Sequence, residues 1–213
     1  MKGILSFWRR QPRSSRPVPE PTGSDSGFFT SAFADQDADP ARLVPWEARA
    51  VEVGAKRMTG QRGAQLLQAL WAKDKYMAHL QVDAVQRMEQ FFTFVQVQPN
   101  RDVIRQDEYG NFMVVLLTGT MAIERAQPWS EQLRLAETRP GDILGEMSLL
   151  DSGIRFSSCT TLTDCEIAVL SADAMDDMMT QDPQLAAILV ALLARKLSLR
   201  LRAVSVRLSD NQK

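Results

Sequence analysis

Residues 141–160 read Gly141-Asp-Ile-Leu-Gly145-Glu146-Met-Ser-Leu-Leu-Asp-Ser-Gly153-Ile-Arg155-Phe-Ser-Ser-Cys-Thr160. A glycine-rich turn runs into a short helix-forming stretch at 146–150, and a cation follows a few residues later. The first N–H groups of a helix have no partner within the helix, so this turn aims free donors at an anion. Arg155 adds a planar guanidinium suited to a phosphate. Glu146 would be repelled by such an anion unless its carboxylate faced a different part of the same ligand.

The residues on either side of this stretch are β-type. Phe92-Thr-Phe-Val-Gln-Val97, Phe112-Met-Val-Val-Leu-Leu117, Met121-Ala-Ile123, Leu133-Arg-Leu135 and Cys165-Glu-Ile-Ala-Val-Leu170 are short apolar runs. Turn material such as Gln98-Pro-Asn, Tyr109-Gly-Asn and Arg139-Pro-Gly-Asp separates them. Many short strands at close spacing predict a barrel or jelly roll rather than alternating β-α units. Helix is expected on both flanks. Residues 45–75 carry Trp46, Val51, Met58, Leu66, Leu67, Leu70 and Trp71 at apolar positions, broken at Thr59-Gly60-Gln61. A further helix is expected over 83–91 with Asp83 as its N-cap, and a long one over 183–208. The fold class is therefore α+β: a β-jelly-roll barrel, or double-stranded β-helix, with N-terminal helices and a long C-terminal helix.

Composition limits the function classes. The chain has 213 residues, 25 Lys+Arg against 26 Asp+Glu and a formal net charge of −1, which argues against a large basic surface for sequence-independent DNA binding. Cys159 and Cys165 lack the CxxC or histidine partners of a zinc site, and His79 is the sole histidine, so no metal is expected. The two cysteines, in strand-like surroundings, fit a structural role in a reducing, cytoplasmic setting. Five of the ten prolines (Pro12, Pro17, Pro19, Pro21, Pro40) fall in the first forty residues among serines, glycines and acids. Residues 1–42 are accordingly expected to be a disordered tail, 43–76 a helical segment and 77–213 the principal domain. The apolar and basic tip Ile4-Leu5-Ser-Phe7-Trp8-Arg9-Arg10 is a candidate for membrane or partner contact, against the plainer reading of a solvated tail.

The stretch at 141–160 resembles the phosphate-binding cassette of cyclic nucleotide-binding domains, whose pattern is G-D-x-x-G-E-x-x-L, a short spacer and an arginine. Leu117-Thr-Gly119-Thr-Met-Ala-Ile upstream is similar to the family's glycine between two barrel strands, and Thr163-Asp-Cys-Glu-Ile-Ala-Val-Leu-Ser171 to its last strand. The resemblance covers about residues 77–208. It implies that Arg155 binds the phosphate and Glu146 the ribose 2′-hydroxyl, with Gly145, Met147, Ser148, Phe156, Ser157 and Ile123 around the ligand. By register on the last helix it places Arg200 and Leu201 at the base and Lys196 near Glu146. The implied ligand is cyclic AMP or cyclic GMP. Phe156 departs from the family's small residue after the arginine, and Arg200 from its hydroxyl-bearing base contacts. These departures leave the choice among cyclic AMP, cyclic GMP and a cyclic dinucleotide open. Phe156 has three fates: crowding the ligand, stacking beside the base or turning into the core, the last being the commonest for phenylalanine. Arg155→Ala is expected to weaken binding and leave thermal stability nearly unchanged.

On the last helix Val190, Leu193, Leu197, Leu201, Val204 and Leu208 form one apolar stripe, and Leu185, Leu189, Leu192, Leu199, Ala203 and Val206 a second. One can pack on the barrel while the other is free. The 3-4 spacing of the first is that of a coiled-coil seam, which suggests a homodimer through residues 184–208, as in the catabolite activator protein family. In that family a DNA-reading domain follows this helix, whereas here only residues 209–213 follow, so direct DNA binding is not expected. The reading is a non-enzymatic, stand-alone sensor that binds a cyclic nucleotide and signals through its last helix to an unidentified protein. The alternatives are a degenerate barrel serving protein interaction without ligand, and a cyclic di-GMP receptor.

Overall fold

The computed structural model describes residues 27–34, 43–74, 82–127 and 130–210. His79 and the anticipated boundary at residue 77 lie outside them, as does the tip at 1–10. The order of elements is α1 (Phe28–Ala34), α2 (Trp46–Glu52), β1 (Lys56–Arg57), α3 (Gly60–Trp71), α4 (Val82–Glu89), β2 (Thr93–Val97), β3 (Asp102–Ile104), β4 (Phe112–Thr118), β5 (Met121–Gln127), β6 (Ser130–Glu137), β7 (Ile143–Leu144), α5 (Glu146–Asp151), β8 (Ser158–Thr161), β9 (Cys165–Ser171), α6 (Ala172–Gln181) and α7 (Pro183–Asp210). The strands form two antiparallel sheets, β1-β2-β9-β4-β7 and β3-β8-β5-β6. This is the jelly-roll architecture expected from the strand spacing.

The side-chain alternation of β4 and β9 sets the layers. Phe112, Val114 and Leu116 on β4, with Cys165, Ile167 and Val169 on β9, point into a core shared with Val103, Ile104, Met121 and Cys159 of the other sheet. Met113, Val115 and Leu117, with Ala168 and Leu170, point the other way, onto Leu67, Trp71, Met88, Met175, Leu185 and Leu189 of the helices. Strands covered on both faces read as continuous apolar runs, which is why these two were conspicuous in the sequence. The break at residues 59–61 is wider than expected: Lys56 and Arg57 form an edge strand against β2 before α3 begins. Asp83 is not an N-cap but sits in the first turn of α4, where its carboxylate accepts from Arg87 Nη1 at 2.6 Å.

Part of the segment expected to be disordered is ordered. Phe28–Ala34 forms α1, and Phe29 is only 4% exposed, packed in the core on the helix side. The carboxylate of Asp176 on α6 accepts from the backbone N–H groups of Phe29 (2.8 Å) and Thr30 (2.9 Å) and from the Thr30 hydroxyl (2.9 Å). Composition could not reveal this docking, because its partner is 146 residues away in sequence.

α7 divides along its length rather than around its circumference. Leu185, Leu189, Leu192 and Leu193, drawn from both predicted stripes, are buried. Beyond Leu197 both stripes emerge into solvent, with Leu199, Leu201, Val204 and Val206 exposed. No helix among the described residues is long and apolar enough to cross a membrane.

Candidate functional site

The cassette is held at both ends by left-handed backbone. Gly145, at φ 75°, turns the chain from β7 into α5, and Ser152, at φ 55°, ends the helix. A side chain at Gly145 would also have no room, since a Cβ would lie 2.5 Å from Arg155 Nη1. Arg155 threads beneath this turn. Its backbone N–H donates to Glu108 O at 2.7 Å, and its guanidinium donates from Nη1 to Gly145 O at 2.8 Å and from Nη2 to Phe112 O at 2.6 Å. The guanidinium lies 4.6 Å from the centre of the Phe112 ring, whose other neighbour is Trp46. Gly110 leaves the space that the arm of the arginine occupies, because a Cβ there would meet Nε at 2.5 Å. The residue is 3% exposed, and burial draws its pKa down to about 10, so it is still charged at neutral pH. This arrangement argues for a larger effect of Arg155→Ala on stability than the sequence suggests, since the side chain braces the turn as well as lining the pocket.

Glu146 begins α5 and is 4% exposed. Burial pushes its carboxyl above the ordinary range, opposed by the positive charges of Arg200, Arg155 and Lys196. Its Oε1 accepts from Nη1 of Arg200 on α7, whose Nη2 donates to Ile143 O at 3.0 Å. Lys196 instead pairs with Asp74, Nζ to Oδ2 at 2.8 Å.

A pocket opens above these groups. Gly145, Glu146, Met147, Ser148, Arg155, Phe156, Ser157, Ile123 and Arg200 line it, together with Ile104, Leu135, Leu144 and Cys159, and its cavity volume is about 170 Å³. That volume is smaller than the about 300–1,000 Å³ of drug-sized ligand sites. Of the candidate residues, Lys196 and Leu201 stand apart from the lining, and Leu201 is 67% exposed. Arg200 meets the carboxylate anticipated for Lys196, because successive turns of α7 carry Lys196 to Asp74 and Arg200 to the cassette. Phe156 takes none of the core: it is 55% exposed, with the Arg125 guanidinium 4.0 Å from its ring centre. Arg125 Nη1 also donates to the Phe156 carbonyl.

Four lining residues went unrecognised in the sequence. Leu135 shares a strand face with Leu133 two residues earlier, and that alternation was available to flag it. Cys159 lies two residues beyond Ser157, and the same i, i+2 argument could have placed it. Ile104 sits in a three-residue strand and Leu144 in a two-residue one, both too short to show a period. Cys159 is inert where it stands, since burial pushes its thiol up to about 12. Arg49 of α2, which pairs with Glu108 and Glu52 just behind Arg155, was also missed. Among the described residues no cluster of His, Cys, Asp and Glu could hold a metal ion.

A jelly roll of this topology, with a glycine turn, a buried carboxylate and a buried guanidinium on one pocket, is the form of a cyclic nucleotide-binding domain. Residues 94–182 match the family model described as "Cyclic nucleotide-binding domain". The chain is 31% identical over 108 residues to a CRP-like cAMP-activated global transcriptional regulator of Mycobacterium tuberculosis, a match covering 51% of this chain and 46% of that protein. The chain thus spans about half the length of the curated relatives it matches. Among solved structures, the catabolite activator protein of Thermus thermophilus is 27% identical with a TM-score of 0.53, covering 62% of this chain and 63% of that one. A cyclic nucleotide-binding domain from Methylobacillus flagellatus superimposes with a TM-score of 0.65 at 21% identity, over 72% of this chain and 85% of that one, a likeness that bears on the fold alone.

Proposed function

We propose that this protein is a sensor that binds a cyclic mononucleotide, cyclic AMP before cyclic GMP, and passes the event through α7 to a protein partner, without catalysis. The observation that carries the reading is the charge of the pocket wall. Its lining holds two guanidiniums, Arg155 and Arg200, and one carboxylate, Glu146, leaving one positive charge for the single negative charge of a cyclic phosphodiester. In this reading the cassette N–H groups and Arg155 meet the phosphate, and the Glu146 carboxylate accepts from the ribose 2′-hydroxyl. Leu135 and Ile123 give the base an apolar wall. Relatives named for cyclic AMP support that ligand first. The exposed distal half of α7 supports pairing of two copies through Leu197, Leu201 and Val204, which would bring ligand and partner signals onto one helix.

The test is calorimetric titration with cyclic AMP, cyclic GMP and cyclic di-GMP, alongside 2′-deoxy cyclic AMP. Micromolar binding of cyclic AMP that weakens with the deoxy ligand is the expected outcome. Equal binding of the deoxy ligand would remove the role of Glu146, and tighter binding of cyclic di-GMP would change the ligand. One observation favours a second reading, a barrel that serves protein contact without ligand: Arg155 is satisfied by Gly145 O and Phe112 O, and Glu146 by Arg200. Absence of binding to all four nucleotides by a folded protein would overturn the ligand reading and favour this second one.

A further inference from the structure

We propose that Arg200 is a positioning residue that acts through Glu146, compensating its charge so that an anionic ligand can share the pocket with a buried carboxylate. The inference rests on the nucleotide-binding reading given above and assigns Arg200 a part in it that is not base recognition. The problem it solves is electrostatic. Two negative charges in close contact repel strongly in the reduced effective dielectric of a protein site. Glu146 is almost wholly removed from water, so solvent cannot screen it from a phosphate bound at the same turn.

Arg200 occupies the position from which that charge can be offset. One arm of its fork meets Glu146 Oε1, and the other donates to Ile143 O at 3.0 Å, at the strand leading into the cassette. Two anchors fix the plane of a guanidinium where a single-point ammonium would swing. The bridge leaves the second carboxylate oxygen of Glu146 without Arg200, so the same side chain can still accept a hydroxyl. Lys196, the other cation on this stretch of α7, is engaged by Asp74 and cannot substitute in direct contact. Arg200 is itself half-exposed and stands at the pocket mouth, so its replacement disturbs little packing.

The experiment is titration of cyclic AMP into the full chain as wild type, Arg200→Met, Arg200→Lys, Glu146→Gln and the Arg200→Met/Glu146→Gln double variant. Arg200→Met is expected to weaken binding by at least about tenfold. Arg200→Lys, which keeps the charge, should fall between that variant and wild type. The distinguishing readout is the double variant. A neutral amide at 146 no longer repels the phosphate, so adding Glu146→Gln to Arg200→Met should recover affinity, whereas a residue that merely braces α7 would show no such rescue. Wild-type affinity in Arg200→Met, or a double variant no tighter than Arg200→Met alone, would overturn the inference while leaving the ligand reading intact. A wild type that binds no cyclic nucleotide would overturn the ligand reading itself, and this inference with it.

Discussion

Replacing Arg155 by alanine should destabilise the protein as well as change its binding, and the size of the effect follows from what the side chain touches. Its guanidinium donates to two buried carbonyls, Gly145 O at 2.8 Å and Phe112 O at 2.6 Å, and stacks on the Phe112 ring. Hydrogen bonds to a charged group contribute about 1.5–3 kcal/mol each, and the ring contact adds about 1 kcal/mol. Alanine also leaves both carbonyls unpaired beside a void. Against this stands the cost of burying the charge, visible as the fall of its pKa to about 10, which the variant no longer bears. A net loss of about 3 kcal/mol is the outcome of these opposed effects, and for a chain of this size it lowers Tm by about 6–12 °C. Differential scanning calorimetry of ligand-free protein measures it, and Gly145→Ala provides an independent approach, since its methyl would press on Nη1 from the other side. A melting temperature within about 1 °C of wild type for Arg155→Ala would refute the assignment of this side chain as a structural member.

Removing residues 1–40 should lower Tm, because Phe29 leaves the core and burying a phenylalanine contributes about 1.5–3 kcal/mol; thermal denaturation of the truncated chain checks this. Asp182→Asn should destabilise at neutral pH. The carboxyl of Asp182 is held below its ordinary value of 3.8 by Arg87 and by the N–H of Leu185, so its contribution is fully present above that value and is lost as pH falls through the lower, folded value. Urea midpoints of wild type and variant should therefore converge on acidification. Neither cysteine should react with iodoacetamide in the folded state at pH 8, since both thiols are buried and raised by burial; mass spectrometry before and after denaturation detects the difference. Leu197→Glu with Val204→Glu should give a monomer by sedimentation velocity, and a dimer would refute the seam on α7.

How much of this was legible beforehand depended on the range of the interactions. The strands β4 and β9 announced themselves, because burial on two faces leaves an unbroken apolar run that local composition records. The cassette was equally plain, since Gly145, Glu146 and Arg155 lie within eleven residues and a left-handed turn before a helix is a local demand met by glycine. The short strands β1, β3, β7 and β8 were missed, for two to four residues show no period and their pairing is set by distant partners. The same limit hid the docking of α1, whose order depends on Asp176. It also hid the structural role of Arg155, because its carbonyl partners Gly145 and Phe112 are set by the packing of the chain. The sequence alone carried the local pattern of the cassette and the alternation that forms the sheets. Only the packed chain brought Arg200 across 54 residues to Glu146, since a charge pair of that separation depends on where α7 lies and not on any neighbour in the sequence.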